Sequence, residues 1–184
     1  IHTLRERIEP TWLVSMVTKD AARLEGLPVQ TLVEFGDEET IVAQTVSENG
    51  VLFHIDPLGG QKTGYYADQR ENHLRFCEFT QGKRVLDAYS YGGGFGLHAL
   101  KHGHAEEVVC VDSSPRAGRL IRKNANLNGL SPEVVVADAI HYLKTEAPGR
   151  KFEVISVDPP KFVRSRSHLQ AGMKKYRRVN QLAM

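Results

Sequence analysis

Four aspartates, Asp87, Asp112, Asp138 and Asp158, each close a short apolar run rich in β-branched residues. The first leads directly into Ala88-Tyr89-Ser90-Tyr91-Gly92-Gly93-Gly94-Phe95-Gly96. Carboxylates at strand ends can accept hydrogen bonds from hydroxyl and amino groups, and four glycines in five positions let a backbone pass close to a ligand. Asp112 stands twenty positions after Gly92, the distance at which an acidic side chain meets both hydroxyls of a nucleoside ribose. Taken singly, each feature has a bland alternative: the glycines make a turn, and an aspartate after a strand caps the next helix. Four acidic residues at four successive strand ends outline a site for a nucleoside-type cofactor.

The spacing narrows the choice of cofactor. Gly94-x-Gly96-x-x-Ala99 has the form of a dinucleotide fingerprint, yet Tyr89 to Gly93 delay it past the strand end. No Lys-Ser or Lys-Thr follows the glycines, which excludes a P-loop. An adenosyl cofactor without pyrophosphate needs ribose and adenine contacts but no anion cradle. S-adenosylmethionine is therefore the favoured ligand, with Asp87 meeting its cationic aminoacyl end directly or through water. A NAD-dependent oxidoreductase using the same glycines and Asp112 is the rival reading.

The elements that must position these residues change character near residue 68. Residues 11–25 read as a helix closed by Gly26-Leu27-Pro28. Strands follow at 31–35, 40–46 and 51–55, the last two joined by the hairpin signal Asn49-Gly50. Residues 1–67 thus form a small α+β domain of one helix and antiparallel strands. Asp68, with Glu71 three residues on, reads as a capping box for the next helix. Beyond it, strands at 84–88, 108–112, 134–138 and 152–158 alternate with helices at about 95–102, 115–128 and 139–146. Ser114-Pro115 supplies an N-cap with proline at the first helical position, and Gly103 and Gly129 sit where helices end. This alternation implies an α/β fold, a doubly wound parallel sheet over 68–184. Such sheets have about six strands, so with four ending by residue 158 the domain is expected to continue beyond Met184.

Composition excludes several classes. Hydrophobic residues at 41% and charged residues at 25% rule out global disorder and fibrous repeats. No apolar run reaches the ~18–20 residues of a membrane span, and no secretory signal opens the chain. Two cysteines, Cys77 and Cys110, are too few for a disulfide scaffold and fit a reducing, cytoplasmic setting. The chain begins at Ile1, as a fragment of a longer protein would. Its net charge of +2 is unevenly divided: residues 161–184 carry seven basic side chains and no acidic one, which leaves the first 160 residues with a net charge of −5. That segment points to an anionic partner, RNA first. Its candidate contacts are Lys161, Arg164, Arg166, Lys174, Lys175, Arg177 and Arg178, with Tyr176 able to stack on an unpaired base. The alternative is a solvated helix with Tyr176 packed on the core, and a non-catalytic RNA-binding protein would keep the same segment.

Three ordered motifs carry a family resemblance: Gly64-Tyr65-Tyr66-Ala67-Asp68-Gln69-Arg70-Glu71-Asn72, Val85 to Phe95, and Val157-Asp158-Pro159-Pro160-Lys161-Phe162. From about Val51 to Met184 the chain resembles the large-subunit ribosomal RNA methyltransferase I family, class I S-adenosylmethionine-dependent enzymes that make 5-methylcytosine. The resemblance implies a class I methyltransferase domain, continued beyond this chain, with ribosomal RNA as partner and no membrane. Oligomeric state stays open, a homodimer included. By resemblance, Tyr89, Ser90, Gly92 and Gly93 would wrap the methionine part of the cofactor. Asp112 with Ser113 would hold the ribose, and Asp138 with Ala139 would lie near the adenine. Gln69 would cover the cofactor, and Asp158, Pro159, Pro160 and Lys161 would face the target base. Lys161 stands where the enzymes that methylate exocyclic amino groups have an aromatic residue, which favours carbon 5 and leaves guanine N-methylation as the alternative.

Carbon-5 methylation of cytosine needs a thiolate that first adds at carbon 6. No cysteine follows Asp158, while Cys110 lies inside a strand and Cys77 on a helix; both read as buried small hydrophobes, and the nucleophile is expected roughly one hundred residues past Met184. His98, His102 and His104 have no carboxylate or cysteine at ligand spacing, so no metal site is expected and they read as a solvated helix end.

Overall fold

The structure, a computed structural model, describes residues 6–17, 19–42, 44–55, 57–58, 64–163 and 165–184. The chain forms two compact units, one of residues 1–46 and 54–66, the other of residues 47–53 and 67–184. The hairpin tip at 47–53, expected in the small domain, thus belongs to the second unit.

In the first unit, strand β1 (Leu13–Val17) pairs antiparallel with β2 (Gln30–Phe35), in a register that sets Val14 against Val33 and Met16 against Thr31. Helix α1 (Lys19–Glu25) connects them. The single helix expected over 11–25 is therefore a strand followed by a short helix. Ladder hydrogen bonds to β2 outweigh a weak helical preference in Leu13-Val14-Ser15-Met16-Val17, and Ser15 Oγ donates to Glu34 Oε1 across the pair at 2.6 Å. The strand expected over 40–46 also divides. Asp37 accepts the Glu39 N–H at 3.1 Å and starts helix α2 (Glu38–Val42), whose acidic first turn suits the positive helix end. Among the described residues of that stretch, the strand starts only at Thr45. Strands β3 (Thr45–Glu48) and β4 (Val51–His54) form a hairpin about Asn49 (φ 50°) and Gly50 (φ 81°), both left-handed as a tight two-residue turn demands.

In the second unit, a 3-10 turn at Ala67–Gln69 runs into helix α3 (Arg70–Cys77). Gln69, rather than Asp68, takes the N-cap position, without a side-chain capping bond. Four parallel strands follow: β5 (Arg84–Ala88), β6 (Glu107–Asp112), β7 (Glu133–Val136) and β8 (Val154–Val157), in the order β7-β6-β5-β8. Helices α4 (Gly94–Lys101), α5 (Pro115–Leu127), α6 (Ala139–Thr145), α7 (Ala147–Arg150) and α8 (Leu169–Ala183) complete the unit. The two-residue alternation of the strands builds two cores. Leu86, Ala88, Val109 and Val111 pack with α6, α7 and Val179 of α8, whereas Val85, Val108 and Cys110 pack with Ala99 of α4 and Ile121 of α5. The order places β5 between β6 and β8, where the winding reverses and ligands of such sheets bind.

Helix ends follow the sequence signals in part. Ser114 Oγ accepts the Ala117 N–H at 3.3 Å with Pro115 in the first turn. Gly103 serves space rather than backbone twist, since a Cβ there would lie 1.9 Å from Thr80 Oγ1 and the left-handed residue is His104. Gly96, inside α4, is held by the same kind of close approach: its Cβ would lie 2.6 Å from Cys110 Sγ and 3.0 Å from Val108 Cγ1. Gly96→Ala should cost about 1–3 kcal/mol in urea unfolding. Cys110→Ala in the same chain should recover part of that loss. Additive costs for the pair would show that the contact is not what excludes a side chain at residue 96.

Candidate cofactor site

The site grows from the turn after β5. Tyr89 (φ 66°) and Tyr91 (φ 49°) are both left-handed, a conformation costing roughly 1–3 kcal/mol each for such residues. Neighbouring groups hold them there. Tyr89 N–H and Ser90 N–H both donate to Val111 O, at 2.9 and 3.1 Å, and Tyr91 N–H donates to Asp112 Oδ2 at 3.0 Å. Ser90 Oγ donates to Asp87 O at 2.5 Å and lies 3.1 Å from Val111 O. Gly93 (φ 83°) closes the turn with its N–H on Ser90 O at 2.7 Å and then leads into α4. Buried Asn124 of α5 donates to Gly92 O at 2.9 Å from the other side.

The four strand-end aspartates lie at one edge of the sheet, in different environments. Asp87, 1% exposed, accepts the Gly96 N–H on Oδ2 at 2.9 Å. Burial pushes its carboxyl up to about 7; the Gly96 amide opposes that, and the charges of Asp158 and Asp112 add to it. Asp112 ends β6 half-buried, with Oδ1 on the Ser114 N–H at 2.9 Å and Oδ2 on Tyr91. Asp138 is exposed and accepts the His141 N–H at 2.8 Å as the N-cap of α6, which begins with buried Ala139. Asp158, just past β8, is exposed, and its Oδ2 accepts from Gln69 Nε2 at 3.3 Å. Gln69 in turn accepts from Asn72 Nδ2 at 2.7 Å. Each carboxylate oxygen bonded once keeps a second lone pair for a ligand.

A family profile for S-adenosylmethionine-dependent methyltransferases matches residues 8–183. The chain belongs to that family. The ribosomal RNA large subunit methyltransferase I of Aeromonas salmonicida is 42% identical over 163 residues, 86% of this chain but only 41% of the relative's length. A candidate SAM-dependent methyltransferase from Streptococcus mutans superposes with a TM-score of 0.77 at 24% identity, over 98% of this chain and 46% of that one. The tRNA (uracil-54, C5)-methyltransferase of Pyrococcus abyssi, solved with S-adenosyl-L-homocysteine, superposes with a TM-score of 0.54 at 23% identity over 77% of this chain and 34% of that one. These structural likenesses establish the class I methyltransferase fold.

Within that methyltransferase fold several expectations change. Asp87 is sealed beneath the turn with its oxygen on Gly96, so it positions α4 rather than presenting itself to a ligand. Ser90 spends its hydroxyl inside the turn and is likewise a positioning residue. Tyr89 is half-buried, its hydroxyl has no hydrogen-bond partner among the described residues, and burial with the Asp138 charge pushes it up to about 12. Gly93 is required by its backbone angle and Gly94 by His73, whose Nε2 would lie 2.6 Å from a Cβ; Gly92 alone of the turn glycines meets nothing closer than 3.5 Å. Ser113 is exposed beside Asp112. Tyr176 accepts the Phe162 N–H at 3.1 Å and its ring lies 4.8 Å from that of Phe162, so the fold occupies the aromatic expected to stack on RNA. Arg164 lies outside the described residues, whereas Lys161, Arg166, Lys174, Lys175, Arg177 and Arg178 are exposed. Both thiols disfavour a nucleophilic role, Cys110 being buried and pushed well up and Cys77 half-buried and raised. His102 and His104 are exposed as expected, but His98 is fully buried. Sequence reasoning missed Asn124; its spacing of four from Asn128, the C-cap of α5, was the only available signal.

The buried Asp87 links stability to pH. Its folded pKa near 7 exceeds the ~3.9 of an unfolded aspartate. The folded chain therefore holds a proton that the unfolded chain releases, and this stabilisation is full below pH ~4 and lost as pH rises through 7. Relative to Asp87→Asn, which keeps an acceptor for Gly96 and cannot ionise, the native chain should lose ground between pH 4 and pH 8 in urea unfolding. A pH-independent difference would show that Asp87 does not titrate in that range.

Proposed function

We propose that the chain supplies the cofactor-binding half of an S-adenosylmethionine-dependent RNA methyltransferase, acting on carbon 5 of a cytosine in large-subunit ribosomal RNA. The observation that carries the reading is the placement of Asp112 at the end of β6 and Asp158 just past β8, on opposite sides of the glycine turn, with Gln69 bonded to the latter. Asp112 offers its remaining lone pairs to the ribose diol, and Asp138 offers an oxygen to the adenine amino group. Asp158 leads directly into Pro159-Pro160-Lys161 and accepts from the exocyclic amine of a target base. The methyl group leaves the sulfonium for the base, the cofactor becomes the neutral thioether, and a proton must leave the methylated position. The 42% identity to a named ribosomal RNA methyltransferase supports RNA as the substrate, and no described helix is long and apolar enough to cross a membrane.

Carbon-5 chemistry requires a thiolate, and neither Cys77 nor Cys110 suits that task. The chain spans 41% of the relative's length, so the activity is that of the whole protein. Because neither thiol suits that task, guanine N-methylation, which needs no nucleophile, is the second reading.

Basic residues complete the proposal. On α8 the positions 172, 176, 179, 182 and 183 face inward, Gly172 so closely that a Cβ would lie 2.4 Å from Val163 Cγ2. Lys174, Lys175, Arg177 and Arg178 fall on the exposed arc, directly after the strand end that bears Asp158.

Calorimetry with S-adenosylhomocysteine, S-adenosylmethionine and NAD checks the cofactor. Asp112→Ala should weaken the first two by about 1.5–3 kcal/mol. Binding of NAD alone would overturn the methyltransferase reading. Replacing Lys174, Lys175, Arg177 and Arg178 by alanine should leave cofactor affinity unchanged and weaken RNA binding at low salt. The slope of log affinity against log salt should flatten by about 0.7 per lost contact, about 3 units for all four. An unaltered slope and RNA affinity would show that α8 is only a solvated surface.

A further inference from the structure

A second polar cluster lies in the same unit, on the far side of the glycine turn's first helix. Glu48 ends β3 at the hairpin tip, His73 sits on α3, and His98 sits at the middle of α4; they are 5%, 4% and 0% exposed. Three separate elements thus deliver a carboxylate and two imidazoles to one interior point. Their donor atoms all lie within 4.8 Å of one another.

The hydrogen-bond geometry leaves that point electron-rich. His98 Nδ1 lies 2.8 Å from Gly94 O, and a carbonyl can only accept, so Nδ1 carries the proton. Nε2 of the neutral ring is then a bare lone pair, without a hydrogen-bond partner among the described residues. Its neighbour is Glu48 Oε1 at 3.4 Å, another acceptor. Two acceptors 3.4 Å apart and shielded from water repel, and neither is satisfied by the other. On the other side of the same carboxylate oxygen, His73 Nδ1 lies at 2.6 Å and donates to it.

We propose that Glu48, His73 and His98 form a buried divalent-metal site of the zinc class, binding through Glu48 Oε1, His73 Nδ1 and His98 Nε2. Two imidazoles and one carboxylate are a donor set that zinc accepts, with one position left over. Bonds of ~2.0–2.2 Å in a tetrahedral site set ligand atoms about 3.3–3.6 Å apart. The Oε1–Nε2 separation of 3.4 Å already matches, and the 2.6 Å between Oε1 and Nδ1 opens once its proton is gone. His73 binds as a neutral imidazole: its proton passes from Nδ1 to Nε2 as the ion takes the place of the hydrogen between His73 and Glu48, and His98 contributes its lone pair without losing any, so no net proton is released. The ion would tie the hairpin tip to α3 and to α4, the helix that follows the glycine turn. This site is independent of whether the cofactor site binds S-adenosylmethionine.

The 184-residue chain, stripped with a chelator, is titrated with Co2+ and then with Zn2+. The expected result is one Co2+ per chain with the intense visible bands of a low-coordinate nitrogen and oxygen site, bleached by one equivalent of Zn2+. Zinc should also raise the thermal midpoint. Glu48→Gln and His98→Ala should abolish both effects, and His102→Ala, an exposed neighbour, should retain them. Should the two cluster variants not fold, histidine nitrogen NMR of the native chain decides. Zinc must move the His98 Nε2 resonance from its unprotonated position to a metal-bound one and remove the His73 Nδ1 proton. Absent stoichiometric Co2+, or with both histidine signals unmoved by zinc, the cluster is a polar core contact only and the proposal falls.

Discussion

The site depends on one buried carboxylate. Asp87 lies at the end of the central strand β5, and its oxygen takes the amide of Gly96 in the first turn of α4. That bond fixes where the helix starts relative to the strand, and so fixes the path of the turn between them. The arrangement is expensive in charge, since desolvation and the fields of Asp112 and Asp158 all favour the protonated acid. A cationic ligand over the strand ends would reverse the balance, because a positive charge nearby favours the carboxylate. The strand ends therefore carry an electrostatic bias toward a cation, even though Asp87 itself is sealed from contact.

Around this bond the turn is held in a conformation its residues would not choose. Tyr89 and Tyr91 are left-handed, and the compensation comes from the neighbouring strand: Val111 O accepts two amides and Asp112 a third. Asp112 thus has two duties. It braces the turn from which the cofactor would be held, and it offers the oxygens that the ribose would bond. A ligand that engages Asp112 therefore reports on the geometry of the glycine turn as well.

The sheet was legible because parallel strands buried on both faces read as continuous β-branched runs, and the helices between them carry clear starts such as Ser114-Pro115. The boundaries of β5 and α5 fall within a residue of expectation for that reason. The small unit was less legible. Residues 11–25 and 40–46 have no decisive period, so β1 and α2 were settled by a partner strand at 30–35 and by the Asp37 turn, neither visible locally. At the site the strand-end aspartates were legible by position but not by role. Burial turned Asp87 and Ser90 from ligand contacts into braces, and Phe162 claimed Tyr176. The Glu48-His73-His98 cluster escaped because its members lie twenty-five residues apart in sequence, on a hairpin and two helices that meet only in the folded unit.

Charge then explains why one end of the chain differs from the rest. The strand ends gather Asp87, Asp112, Asp138 and Asp158, a set that would repel an RNA phosphate brought near it. The chain directly after Asp158 answers with seven basic residues and no acidic one. The inward stripe of α8 forces Lys174, Lys175, Arg177 and Arg178 onto the solvent side, and Lys161 stands immediately after Pro159-Pro160. A polyanion drawn to this segment can be held by its backbone at the basic arc while a single base, itself uncharged, is admitted to the acidic edge. On the proposed function, the separation of the two charges along the chain would let one surface attract a nucleic acid while the adjoining site takes a cationic cofactor.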